Sequence, residues 1–296
     1  MNTENSSAKS GMPNPDQSLL TIDVEDYYHI CDTIGIPPVS EWDSLPGRVV
    51  ENLRKLLDIA ESHQVRTTCF FLGYIARRYP DLEKEADSRG HEIASHGMYH
   101  QLAFNMSVKE FQEDIASSKK LLEDITGKDV SSYRCPSFSV TGQTPWFFEQ
   151  VVKAGYSIDS SVFPGHREGG GLATKEKYPH RIDTPAGKLF EIPISLINIL
   201  GRNTCFFGGG YLRLFPLSII LLMSEQIHKQ GYPVLYYIHP REIDPLHPRF
   251  RIQWIHYIKR YINLKSVRPK LDAILKTGTY STCRELKQMY IMKDKL

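Results

Sequence analysis

Residues 67–95, TTCFFLGYIARRYPDLEKEADSRGHEIAS, hold the unit on which the fold reading turns. Thr67–Leu72 is a short run rich in aromatic and β-branched residues, which predicts a strand. Pro80 is placed to open a helix that runs to about Arg89, Gly90 stops it, and His91–Ser95 predicts the next strand. Two strands separated by a helix run parallel, joined by a right-handed crossover.

The same alternation extends in both directions. Upstream, Leu19–Val24 predicts a strand, and Gly47–His63 carries Val49, Leu53, Leu56, Leu57 and Ala60 at helical spacing. Downstream, Ser107 and Glu110 form a capping-box pattern before a helix that turns Phe111, Ile115, Leu121, Leu122 and Ile125 inward and ends at Gly127. Ser132–Arg134, Tyr156–Asp159, Leu189–Ile194 and Val234–Ile238 predict further strands, with helices near 144–154 and 216–230. This order predicts an α/β fold, a single distorted (β/α) barrel of about seven parallel strands. Residues 1–17 read as a loose polar tail, 18–240 as the barrel, and 241–296 as a C-terminal extension packed on it through Phe250, Trp254, Tyr257 and Tyr261. Gly169–Gly171 and Gly208–Gly210 lack the spacing of a phosphate cradle and read as mobile loops.

Composition narrows the function classes. Of 296 residues 41% are hydrophobic, enough for a sizeable core and too many for a chain disordered throughout. A formal charge of +2 gives no reason to expect nucleic-acid binding. Five widely spaced cysteines without a C-x-x-C pair predict free thiols in a reducing compartment. The first 17 residues have no apolar signal region, and Leu214–Met223 is too short to span a bilayer. The expectation is a cytoplasmic protein, soluble or peripheral to the inner membrane, with its oligomeric state left open.

Four predicted strands end in ionisable residues. Asp23, Glu25 and Asp26 close the first, His96-Gly-Met-Tyr-His100 follows the His91–Ser95 strand, Arg134 closes another, and His239 follows Val234–Ile238. In a parallel barrel those ends share one rim, where functional loops gather. Two imidazoles four residues apart, on a helical turn, would point from one face and grip a divalent ion.

Thr21-Ile-Asp-Val-Glu-Asp26, His96-Gly-Met-Tyr-His100, Arg134-Cys-Pro136, Asp159-Ser-Ser161 and Tyr237-Ile-His239 together resemble the five ordered motifs of the NodB-homology polysaccharide deacetylases, carbohydrate esterase family 4. Asp23-Val-Glu-Asp-Tyr-Tyr28, Gly209-Gly-Tyr-Leu-Arg213 and His239-Pro-Arg-Glu-Ile-Asp244 further resemble the branch found in bacterial exopolysaccharide gene clusters, which carries a C-terminal extension. The resemblance implies removal of an N-acetyl group from an amino sugar in a polysaccharide or a lipid- or nucleotide-linked precursor. It implies a divalent ion, zinc first with cobalt or nickel as alternatives, held by His96, His100 and a carboxylate. Period-two geometry puts Glu25 on the side of Asp23 and favours it as that carboxylate; Asp26 takes the role if the strand has already turned. Asp23 is implied as general base oriented by Arg134, His239 as the acid for the departing amine, and Asp159 as the residue that orients His239. The backbone N–H after Pro136 is implied as an oxyanion donor.

The chain departs from the family pattern at three points: the adjacent aspartates of the first motif are absent, the aromatic after Pro136 is displaced to Phe138, and Phe163 stands near the missing fourth-motif Trp. Two other readings compete. A small-amide or ureide hydrolase would have a narrow, basic rim, whereas Tyr27, Tyr28 and Trp42 argue for an open rim on which a sugar stacks. An inactive glycan-binding protein would bind no metal.

Overall fold

β1 (Gln17–Val24) is buried along its whole length, so both its faces are covered. Leu19 joins one apolar cluster, while Leu20, Ile22 and Val24 join another on the opposite side. A strand covered on both faces belongs inside a parallel sheet flanked by helices. The computed structural model describes residues 16–30, 35–165, 167 and 170–293, apart from the side chains of Arg202, Ile255 and Lys293. The predicted tail therefore lies outside the described residues except for Asp16 and Gln17, and so do Cys31 and Gly169.

The other strands are β2 (Thr68–Phe71), β3 (Glu92–Ser95), β4 (Ser132–Tyr133), β5 (Ile158–Asp159), β6 (His180–Thr184), β7 (Gly187–Glu191), β8 (Ile197–Ile199), β9 (Arg202–Thr204), β10 (Val234–Ile238) and β11 (Thr279–Tyr280). The main sheet runs β10-β1-β2-β3-β4-β5-β7-β6. From β10 to β7 every pairing is parallel, and β6 returns antiparallel on β7. β8 and β9 form a separate hairpin.

Among the described residues no strand pair closes this sheet. It nevertheless wraps a common interior, because Leu19 and Leu235 from one end pack in the same cluster as Ile158, Phe190 and Ile192 from the other. Irregular chain seals the gap: Ser195 Oγ accepts from the Leu235 N–H, and the Phe207 carbonyl accepts from the Tyr237 N–H. Gly208 bridges to Tyr237 there, and a Cβ on it would lie 2.2 Å from the Tyr237 ring. Gly208–Gly210 is thus a close-packed wall instead of the mobile loop its composition predicts.

Helices cover the outside: α1 (Val49–Ser62), α2 (Gly73–Arg78), α3 (Pro80–Ser88), α4 (Val108–Thr126), α5 (Phe147–Lys153), α6 (Gly209–Leu214) and α7 (Leu217–His228). α4 begins with the Ser107–Glu110 capping box and ends at Gly127, whose φ of 71° only glycine adopts freely. α8 (Trp254–Tyr261) and α9 (Val267–Leu275) follow β10.

The chain after 240 also enters the barrel. β11 pairs with β1 beside the start of β2. α10 (Cys283–Lys293) then lays Cys283 and Leu286 into the interior cluster with Leu19, Phe70 and Ala94. Its first N–H groups meet the barrel base: Cys283 N–H donates to Thr68 Oγ1, and Arg284 N–H donates to Glu92 Oε2. A carboxylate at a helix N-terminus is well placed electrostatically. No helix among the described residues is long and apolar enough to cross a membrane.

Glu83 breaks the pattern of satisfied burial. It is fully buried in α3, neither carboxylate oxygen has a hydrogen-bond partner, and burial, helped by Asp87, pushes its pKa up to about 9. The folded protein holds it protonated, so its contribution to stability is complete below pH 4.5 and is lost as pH rises toward 9. Glu83→Gln should therefore stabilise the protein by about 1–3 kcal/mol at pH 8 and flatten its stability between those limits, as thermal melts across pH will read.

Candidate functional site

Arg134 follows β4 and is wholly buried inside the barrel. Its guanidinium lies 4.1 Å from the centre of the Phe70 ring, so its charge is met by hydrogen bonds instead of water. Nη1 donates to Asp23 Oδ1 at 2.7 Å and to Thr21 Oγ1 at 2.8 Å, Nη2 to Ser160 Oγ at 2.9 Å, and Nε to the Ser160 carbonyl at 3.1 Å. Burial favours a neutral Asp23, but Arg134, then His96 and His239, outweigh it and hold the carboxyl below its usual value. Asp23 is thus an anchored carboxylate at neutral pH.

His96 follows β3 and donates from Nδ1 to the Arg134 carbonyl at 2.8 Å, which leaves Nε2 as the ring's lone-pair nitrogen. The His96–His100 segment is not the predicted helical turn. Gly97 and His100 take φ of 75° and 54°, and this tight turn brings the two rings to 5.1 Å. α4 holds the turn from outside: Asp114 Oδ2 accepts from the Met98 N–H at 2.8 Å, and Ser118 Oγ donates to the Gly97 carbonyl at 3.1 Å. A Cβ on Gly97 would sit 2.8 Å from Asp114 Oδ2, so this approach requires glycine.

Glu25 completes a group of three. One ligand atom each from Glu25, His96 and His100 can be chosen so that all lie within 4.8 Å of one another. Glu25 Oε2 is buried with no hydrogen-bond partner and lies 2.7 Å from His100 Nε2. Burial opposes its charge, yet His100, His239 and Arg241 hold the carboxyl far below its usual value. Burial lowers His96 to about 4, so it is neutral and able to ligate. Two imidazoles and one buried carboxylate fit a borderline divalent ion such as zinc.

His239, after β10, faces the same rim, with Nε2 3.5 Å from Glu25 Oε1 and 3.8 Å from Asp23 Oδ2. Two predicted residues belong elsewhere. Asp159 does not reach His239: it is in register with Tyr133 and Glu191, and Tyr133 packs on the helix side while its neighbour Ile158 faces the interior. Period-two alternation therefore points Asp159 away from the rim, where it accepts from Ser161 Oγ at 2.6 Å beside a Glu191 whose pKa burial pushes well up. The residue on His239 is Glu242, which accepts from its N–H at 3.2 Å and lies 3.5 Å from Nδ1. Burial would raise Glu242, but Arg213 and His239 bring it to about 2.

Asp26 is not with the metal group either. The chain turns after Glu25, and Asp26 Oδ2 accepts from the Arg48 and Val49 N–H groups at the start of α1, at 2.7 and 3.0 Å. Its own N–H donates to His29 Nδ1 at 2.9 Å, which makes the His29 Nε2 a donor. His29 lines the cavity over the rim, and neither it nor Glu242 and Asp114 was foreseen. Only Glu242 left a signal, three residues beyond His239 in a capping pattern.

That cavity, about 410 Å³, runs from the three-residue group past Phe138, Tyr211 and Tyr237. Tyr27, Tyr28 and Trp42 do not line it; they are buried core residues around α1 and α2, so they cannot stack a sugar. The cavity wall is instead rich in Arg and Lys.

Comparison with known families places this geometry. The polysaccharide deacetylase model matches residues 39–157, and a domain of unknown function, DUF3473, matches 160–288. Residues 39–157 are thus similar to polysaccharide deacetylases, and Asp23, Glu25 and His239 lie outside the matched span. Among named relatives, a peptidoglycan-N-acetylglucosamine deacetylase of Bacillus cereus is 26% identical over 40% of this chain and 42% of its own. A chitooligosaccharide deacetylase of Azorhizobium caulinodans is 30% identical over 27% and 38%. The chain spans less than half the length of these curated relatives. In fold, a Mycobacterium smegmatis protein assigned as a polysaccharide deacetylase aligns over 98% of this chain and 96% of its own, with a TM-score of 0.65 at 16% identity. An allantoinase aligns over 98% of both chains, with a TM-score of 0.62 at 14% identity.

Two substitutions separate the neighbouring carboxylates. Glu25→Gln should abolish stoichiometric binding of zinc in a calorimetric titration, whereas Asp26→Asn should leave it intact and cost about 1–2 kcal/mol of stability through the start of α1. Asp114→Ala, which touches no ligand, should weaken zinc affinity at least about tenfold by releasing the turn between His96 and His100.

Proposed function

We propose that this protein removes an N-acetyl group from an amino sugar in a glycan or glycan precursor by metal-assisted hydrolysis. One observation carries the reading: Glu25, His96 and His100 converge on the same rim as an arginine-anchored Asp23 and His239. The deacetylase domain and the named relatives support the class of reaction. A divalent ion held by those three residues would supply Lewis-acid polarisation of the acyl carbonyl and acidify a water.

The side chains have distinct roles. Asp23, kept ionised by Arg134, accepts a proton from the attacking water, while Arg134 fixes which oxygen remains available by occupying Oδ1. His239 stands on the far side of Glu25 and gives a proton to the sugar nitrogen as the C–N bond breaks, with acetate and a free amine as products. Glu242, 3.5 Å from Nδ1, positions its ring. Ser137, after Pro136, lines the cavity in a turn where it and Phe138 take φ of 54° and 50°, which supports its N–H as an oxyanion donor.

A second reading, a small-amide or ureide hydrolase, draws on the basic cavity wall. Acetate release from N-acetylated chito-oligosaccharides, measured against amide and ureide hydrolysis, tells the two apart. Asp23→Asn and His239→Ala should each slow acetate release by at least about a hundredfold with the fold intact by circular dichroism. Near-normal rates would remove those residues from the mechanism.

A further inference from the structure

Each carboxylate of the cavity has its own counterpart. Asp23 has Arg134, Glu242 has Arg213 at 3.7 Å, and Glu25 faces His100 and the ion site. Against these three acids the same wall carries Arg167, Arg213, Arg241, Lys259 and Arg260.

Two of the cations stand out. Arg167 makes no ion pair among the described residues, and its guanidinium lies 5.4 and 5.6 Å from the Phe138 and Phe163 rings. Among the described residues Arg241 comes no closer to a carboxylate than 4.0 Å, at Glu25 Oε1, and its buried Nε has no hydrogen-bond partner there. The surrounding chain strengthens the field: between Asp244 and Asp272 there are seven Lys and Arg residues and no Asp or Glu. Arg167, with no acid beside it among the described residues, and Arg241, with only a 4.0 Å one, lose hydration in this half-enclosed wall that an anionic ligand would restore.

We infer that the cavity takes a sugar bearing an oxyanion, a carboxylate or a phosphate, beside its acetamido group, and that Arg241 and Arg167 bind that anion. The inference rests on the deacetylase reading above and names its substrate class. The planar fork of Arg matches both anions bidentately. All five cations fall within residues 160–288, so the DUF3473 region reads the substrate's acid group, while the metal group and Asp23 lie upstream.

The test uses three matched monosaccharides at one ionic strength with zinc-loaded protein: methyl N-acetylglucosaminide, its 6-carboxylate, and N-acetylglucosamine 1-phosphate. At least one acidic sugar should show a KM about tenfold or more below the neutral one, and which sugar does so separates carboxylate from phosphate. Arg241→Gln and Arg167→Gln should each reduce that preference about tenfold, mainly through KM, and Arg241→Lys should restore part of it. Equal KM values for all three sugars, or variants that shift all three alike, overturn the inference while leaving the deacetylase reading in place. If even acetylated chito-oligosaccharides release no acetate, the deacetylase reading fails first. Calorimetry with N-acetylglucosamine 1-phosphate and with the 6-carboxylate on metal-free protein then decides the subsite. Binding of either sugar that weakens about tenfold in Arg241→Gln or Arg167→Gln supports it, and no binding, or binding unchanged in both, overturns it.

Discussion

A single buried positive charge holds the site together. Arg134 has no contact with solvent, and its hydrogen bonds run to β1 through Thr21 and Asp23 and to the chain after β5 through Ser160. Its carbonyl fixes the ring of His96, and its N–H continues the ladder to Ser95. A buried guanidinium stripped of partners would be costly, so these four segments are bound to one geometry. The Asp23 carboxylate and the His96 imidazole are therefore set by the same residue, from its two ends.

The outer supports follow a similar logic. The His96–His100 turn is shaped by side chains of α4, and His239 by Glu242, so these imidazoles are held in place by neighbouring side chains. Fixing ligands through their second atoms narrows the geometry without occupying the donor the chemistry needs. The barrel interior below is apolar, with Phe70 directly under the guanidinium. That floor strengthens every charge interaction above it.

Much of this was legible in the sequence, because local rules governed it. The capping box at Ser107, the strand–helix order and the ionisable strand ends all follow from neighbours in the chain. Alternation along the first strand favours Glu25 over Asp26, and Glu25, just past the end of β1, is the one grouped with His96 and His100. The same rule, applied from Ile158 inward, turns Asp159 away from His239, but which of two adjacent residues faces inward is decided by packing partners distant in sequence. The H-x-x-x-H spacing suggested a helix because spacing alone ignores Gly97, whose left-handed φ makes a turn instead. Asp114 was invisible, since its bond to Met98 depends on how α4 docks. Tyr27, Tyr28 and Trp42 looked like a sugar platform because aromatic residues near a site serve equally as core.

The pairing of β11 with β1 carries a consequence for how the chain is made. Gln17 and Thr279 lie 262 residues apart, yet their side chains meet at the base of the sheet. A ribosome releases β1 early and residues 279–293 late, so during synthesis the barrel waits with its lower end open and Leu19, Phe70 and Ala94 unplugged. Contacts of such high sequence separation form slowly, and exposed apolar interior during that wait invites association with other chains. The nascent barrel thus depends on shielding until residues 283–293 are out, and it closes only after that helix has been made.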